Sequence, residues 1–365
     1  MSKIKFFLTL FSFFLLSCNT DNNTSLKINE VFENYYQENL KLYPLNATRQ
    51  GDIRYNDFLP NNLTDEFRNK EKIYYLNYVN QLNKFDDNKL NEDDKLSKKV
   101  MLWECTRNLE RLDFNEHLTP INQMWTLQLD IGQFAAGLSA QPFKTIKDYN
   151  NWLKRIDDYL LWLKSVEDRM REGIENGHVL PKSLIKKVIP QLEVILNPDL
   201  NLNLFYSPIR QFPSFFSDKE KSTLKKDYKN MVLNKIIPAY KVLHEFMKNE
   251  YLKFGRDSSG IDALENGLNY YNYSIKLYTT TNMTADEIHN LGLSEVGRIS
   301  SEMESIKDKV GFKGDLKSFF NYVRELDQLI PFNEPSQVID NFNSIHLKMM
   351  PQVNSLFGLQ PKTSF

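Results

Sequence analysis

TIKDYNNWLKRIDDYLLWLKSVEDRM, running from Thr145 to Met170, reads as one long amphipathic helix. Ile146, Tyr149, Leu153, Ile156, Leu160, Leu163, Val166 and Met170 recur every three or four positions, which places them on one helical face. Thr145 and Asp148 have the spacing of a capping box, so the helix has a defined start. Its end is expected between Gly173 and Gly177.

The same period continues outward in both directions. Toward the N-terminus, Ile28 to Leu42 reads as a helix stopped by Pro44. Thr64 is an N-cap candidate, with Asp65 and Glu66 in the first turn, where the helix dipole favours anions. Phe67, Tyr74, Tyr75, Tyr78, Val79 and Leu82 form the face of that helix. Asn91 opens the next, with Leu96, Val100, Trp103 and Leu109 expected inward. Pro120 to Pro142 reads as a buried loop with a short helix.

Toward the C-terminus, Ser183 to Leu196 is a helix expected to kink at Pro190, whose ring removes a donor and clashes one turn back. A Pro- and aromatic-bearing strap follows. Ser217 and Glu220 form a second capping box, opening a helix to about Phe254 that Pro238 interrupts and Gly255 stops. Thr284 and Glu287 form a third. The helix from Ala285 to about Lys309 is expected to bury Ile288, Leu291, Ile299, Met303 and Ile306, and two more helices follow from Asp315 and Ser336. No strand pattern and no repeat of fixed period is visible, so the fold class is all-α: a large multi-helix lobe.

Composition agrees with that class. The chain has 365 residues, 41% apolar and 25% charged, enough for a large core. Its formal net charge of -1 and lack of basic blocks give no footprint for nucleic acid. Only 13 glycines argue against turn-dense β folds and glycine-rich phosphate loops. The 13% aromatic content suits core packing, or else the lining of a substrate channel.

The first residues read as a targeting segment. Lys3 and Lys5 precede the apolar run Phe6 to Leu16, too short to span a bilayer as a helix, and the run ends in LLSC. This is the pattern of a lipobox, with lipidation at Cys18. Residues 1–18 are thus expected to be a lipoprotein signal peptide, residues 19–25 a flexible tether and residues 26–365 the helical domain. A multiply acylated Cys18 would hold the chain on a membrane of the bacterial cell envelope. Cys105 is then the one remaining thiol. It has no disulfide partner and no positive neighbour to activate it, so it reads as a core residue.

The chemical motifs are sparse. VLHEFMKNEY, Val242 to Tyr251, begins like the HExxH zinc motif, but Lys248 stands where the second histidine should be. A cation at a ligand position argues against zinc there, and His244 reads as a surface histidine beside Glu245, with Val242, Leu243, Phe246 and Met247 inward. The other histidines, His117, His178, His289 and His346, lie beyond helix reach of one another. His289 reads as a packing or hydrogen-bonding residue. There is no nucleophile elbow, P-loop or dinucleotide-binding glycine pattern. A pair of acid–base carboxyls, as in glycosidases, is not legible from spacing.

Four stretches resemble domain-of-unknown-function family 885, in order along the chain: YPLNATRQGDIRYNDFLP (Tyr43 to Pro60), PINQMWTLQLDIGQF (Pro120 to Phe134), PFKTIKDYNNWLKRI (Pro142 to Ile156) and YTTTNMTADEIHNLGLSEVGRI (Tyr278 to Ile299). The resemblance covers most of residues 30–365. It implies a helical fold similar to the N-terminal part of channel-type zinc peptidases, and an exported lipoprotein. It also implies a zinc site, a His-Glu pair followed by Gly-His-His and a further carboxylate, C-terminal to the region matched by LFGLQPKTSF. No position of this sequence corresponds to those ligands. The expectation is therefore a membrane-anchored lipoprotein that is the N-terminal portion of a zinc-dependent peptidase or hydrolase. It would have no catalytic or metal residue of its own, and zinc and a peptide-like substrate would belong to full-length relatives. The alternative is a non-catalytic lipoprotein that binds a ligand or partner. An apolar surface left uncovered is expected on the first reading.

Overall fold

The computed structural model describes residues 24–137, 139–329 and 331–360. The described residues are helical throughout, and their sole β-type pairing is an isolated bridge between Pro181 and Arg256. No described helix is long and apolar enough to cross a membrane. Two compact units divide the chain, one up to Asn282 and one from Met283 onward.

The first unit is organised around two apolar clusters. The larger is built on α6 (Ile146–Glu175), which starts with the expected capping box: the Thr145 hydroxyl accepts from the Asp148 amide, and the Asp148 carboxyl accepts from the Thr145 amide. Tyr149, Trp152, Ile156, Tyr159, Trp162, Leu163, Val166 and Met170 are all buried along it. Each buried Trp or Tyr removes roughly 150–250 Å² from water, on the order of 4–6 kcal/mol at about 25 cal/mol/Å² as an upper bound. Against α6 pack α8 (Asp218–Met231) and α9 (Ile237–Phe246), α7 (Lys182–Ile195) packs against α9, and the strap residues Phe205, Pro208, Ile209 and Phe216 are buried in the same core. The Tyr159 and Tyr240 hydroxyls pair at 2.8 Å in this core.

The α8–α9 helix is continuous through Pro238 because a π-helical turn, Val232–Ile236, absorbs the residue whose carbonyl the proline cannot use. A second π turn, Met247–Tyr251, leads into α10 (Leu252–Phe254). Gly255 does stop the helix, but at φ −55° it is not a left-handed cap. Its lack of a side chain matters for another reason: a Cβ there would lie 2.5 Å from Ile185 Cδ1, so glycine lets the chain pass against α7.

The smaller cluster joins a helix over residues 24–42, α1, to α3 (Asp65–Leu82) and α4 (Glu92–Arg111). Tyr35, Tyr74, Tyr75 and Tyr78 stack and cross edge to face within it. Pro44 ends α1 by opening α2 (Pro44–Arg49), taking the first helical position where its missing N–H costs nothing. On α4, of the residues expected inward, Leu109 does pack against the smaller cluster and the other three do not. Leu96, Val100 and Trp103 are 63%, 56% and 40% exposed, while Asp94, Lys98, Met101 and Cys105 face inward. The polar members hold that face because each has a fixed partner: Lys98 Nζ reaches the Phe85 carbonyl and the Asp87 carboxyl, both at 2.6 Å, and Asp94 accepts from Asn29 and Asn91. The buried apolar side chains of α5 (Leu127–Ala135) belong to the larger cluster, and α11 (Gly267–Thr279) packs against α4.

The second unit comprises α12 (Ala285–Lys309), α13 (Leu316–Arg324) and α14 (Pro335–Leu356). The capping box of Thr284 and Glu287 forms as expected. The burial expected on α12 does not. No residue of that helix is buried, and Leu291, Ile299, Met303 and Ile306 are all exposed. Phe319 is the one buried apolar residue described in this unit, in contact with Phe312 and Phe320. The apolar face exists as read, and within this unit it is exposed.

Candidate functional site

Cys18, the expected lipidation site, lies outside the described residues, as does the signal-peptide stretch. Cys105 is fully buried in the smaller cluster, and burial followed by the neighbouring Glu104 pushes its thiol up to about 12. Such a thiol is no nucleophile near neutral pH.

His244 departs from its reading as a surface residue. It is buried on α9, and its Nε2 lies 2.9 Å from Glu193 Oε1 on α7. The two helices pack directly, which turns His244 toward its neighbour rather than to solvent. Lys248 approaches the same carboxyl at 3.8 Å, so an ammonium stands beside the one carboxyl that could join His244. Glu245 instead faces Lys241 on the exposed side, and Val242, expected inward, is exposed.

The remaining histidines do not meet. His117 is half-buried with no partner for its Nδ1, and burial, then Arg68 and Arg169, lower its pKa to about 4. Burial and Arg256 also lower His178, and His289 is exposed. Among the described residues no three His, Cys, Asp or Glu side chains are grouped to hold a metal ion.

A different constellation is assembled, one that motif reasoning did not find. Glu71, on the inward face of α3, is buried; its Oε1 accepts from the Tyr43 hydroxyl at 2.5 Å and from Arg111 Nη2 at 3.0 Å. The Tyr43 and Tyr75 hydroxyls lie 2.9 Å apart. Arg111 turns its other nitrogen to Glu116 Oε2 at 3.6 Å, and the Tyr270 hydroxyl of α11 donates to Glu116 Oε1. Burial pulls the Arg111 pKa down, but Glu71 and Glu116 outweigh it and hold the guanidinium above its ordinary value. Glu71 and Glu116 are the carboxyl pair that spacing could not reveal. Both are committed to one guanidinium, which suits a structural clamp between α2, α3, α4 and α11 more than acid–base work. The signal was present in sequence: Glu71 sits four residues after Phe67 and three before Tyr74, in the register of the aromatic face.

Tyr43 also forms the back of a cavity of about 260 Å³ where the two apolar clusters of the first unit meet. Leu42, Pro44, Leu45, Leu59, Phe67 and Leu127 make its apolar wall. Its rim carries Asn46, Asn62, Arg49 and Asp130, the last two paired at 2.8 Å. Trp125 stands at the edge, 84% exposed. The loop that carries it is held in place: Asn122 Oδ1 accepts from the amides of Met124 and Trp125 at 2.7 and 2.9 Å, and Gln128 Nε2 donates to the Asn122 carbonyl at 2.9 Å.

Comparison with known proteins agrees with this architecture. A solved structure described as "putative lipoprotein from Colwellia psychrerythraea" superposes with a TM-score of 0.76 at 18% identity, over 93% of this chain. The chain spans 61% of the length of that structure. Among curated proteins there is no match. The family described as "Bacterial protein of unknown function (DUF885)" matches residues 44–365, and by that match, which takes in both helical units, the chain belongs to it.

Proposed function

We propose that this chain is an exported, lipid-anchored protein of the bacterial cell envelope that forms the helical supporting part of a larger hydrolase. Zinc and a peptide-like substrate would belong to the longer form, with the metal ligands on polypeptide outside these residues. One observation carries the reading: the apolar row of α12 is complete in sequence and uncovered in three dimensions. Val296, Ile299, Met303, Ile306 and Val310 follow at intervals of three and four residues, and all are between 39% and 63% exposed. Monomeric proteins rarely leave a contiguous apolar patch open without a partner for it. The greater length of the lipoprotein structure and the LLSC stretch ending at Cys18 are consistent with this.

The test has two arms. Metabolic labelling with a radioactive fatty acid in a bacterial host should mark the wild-type chain and not Cys18→Ala; an unlabelled wild-type chain removes the anchor. Purified residues 24–365 should bind no stoichiometric zinc by mass spectrometry and cleave no peptide library. Zinc at one per chain together with cleavage would overturn the assignment of this portion as supporting. A second reading, a ligand-binding lipoprotein without chemistry, is favoured by the cavity beside Trp125.

A further inference from the structure

The cavity bounded by α2, α3 and the start of α5 combines three features. The first is the indole of Trp125. At 84% exposure it presents to water nearly the largest apolar surface a side chain can offer, on a backbone that the Asn122 turn holds in place. The second is the rim. Asn46 Oδ1 accepts from Arg49 Nη1 at 3.1 Å and Asn62 Oδ1 accepts from the buried Trp162 Nε1 at 2.9 Å. Each bond orients its amide and leaves the N–H₂ donors unspent. Arg49 and Asp130, 43% and 42% exposed, retain further donors and lone pairs. The third is charge. Arg49 and Asp130 are the charged residues lining the cavity and they cancel, so the site favours neither an anion nor a cation.

A neutral ligand with an apolar face and a belt of alternating donors and acceptors matches that wall. A sugar ring has this chemistry: C–H groups cover its faces and hydroxyls surround its edge. The volume of about 260 Å³ lies just below the range of roughly 300–1,000 Å³ for sites that take drug-sized ligands, which suits a ligand as small as one pyranose ring. We propose that this cavity is a carbohydrate-binding site, with the ring against Leu45, Phe67 and Leu127, its hydroxyls on Asn46, Asn62 and the Arg49–Asp130 pair, and the next residue of a glycan stacked on Trp125. The assignment is independent of any hydrolase role for the longer form.

Ligand-observed NMR on the full chain tests it, with glucose, N-acetylglucosamine, maltose and the dipeptide Ala-Ala as probes. At least one sugar should bind with a Kd below about 50 mM, an affinity that costs little binding energy to reach. Trp125→Ala should weaken a disaccharide at least tenfold and Asn46→Ala by a smaller factor. Trp103→Ala, at an exposed tryptophan that is not among the cavity lining, should change nothing. Matching thermal melts for the three variants establish folding, which is expected of exposed positions. Failure of every sugar to bind up to that concentration overturns the proposal. So does disaccharide binding that Trp125→Ala leaves at its wild-type strength, and so does binding of the dipeptide in place of the sugars.

Discussion

Arg155 and Glu71 show what a single buried polar residue reveals about this chain. Both fall in the register of an apolar stripe, Glu71 between Phe67 and Tyr74 and Arg155 between Trp152 and Tyr159. Arg155 is fully buried and donates to Gln141 Oε1 at 2.7 Å, the Tyr55 carbonyl at 2.6 Å and the Phe58 carbonyl at 3.2 Å. A charged residue in a stripe can be spotted in sequence; its partners cannot, because they lie 14 to 100 positions away. His117 supplies the pH prediction at this scale. Its pKa is lowered from 6.5 to about 4 by burial and by Arg68 and Arg169, with Glu172 and Asp65 opposing. Above pH 6.5 the ring is neutral in both the folded and unfolded chain. As pH falls from 6.5 toward 4 the unfolded chain takes up the proton first, so stability falls with pH across that window. Urea unfolding at pH 7 and pH 4.5 should show less acid sensitivity for His117→Gln than for the wild type, by about 1 kcal/mol once solvent screening of the half-exposed ring is allowed for. Equal losses in the two proteins would mean that His117 protonates freely in the fold.

At the scale of elements, helix starts were the most legible feature and helix faces the least. The three capping boxes at Thr145, Ser217 and Thr284 form as their spacing predicts, because a cap involves residues three apart and needs nothing from the rest of the molecule. A face needs a neighbour. On α4 two apolar stripes compete: Leu96, Val100 and Trp103 point one way, Met101 and Cys105 the other. Lys98 and Asp94 decide it, since their partners lie on the side where α1 and the loop after α3 pass. The cap of α6 can be measured directly. Thr145→Ala should cost about 1 kcal/mol and Asp148→Ala a similar amount. The double variant should cost less than the sum, because each substitution already breaks half of one reciprocal arrangement. Chemical denaturation of the three variants gives the coupling. Strict additivity would show that the two bonds act independently.

For the whole molecule, the all-α class follows from periodicity that no other element could satisfy, while the second unit leaves its apolar rows exposed. Val296, Ile299, Met303, Ile306 and Val310 make a seam spaced like a coiled-coil stripe, and α14 adds exposed Ile339, Phe342, Met349 and Leu356. Fully burying a Val, Ile or Met side chain contributes roughly 1.5–3 kcal/mol, so five such residues left half in water forgo several kcal/mol that a covering partner would recover. Two consequences separate cleanly. Replacing Ile299 and Met303 together by lysine should leave the unfolding free energy within about 0.5 kcal/mol per site, because neither side chain is buried in the folded chain. The same change should reduce binding of an apolar fluorescent dye and lower the apparent mass by light scattering at high concentration, because it breaks the seam where chains would associate. A loss of more than about 2 kcal/mol on unfolding would instead mean that these side chains are enclosed in solution, and the uncovered face would have to be abandoned along with the larger assembly inferred from it.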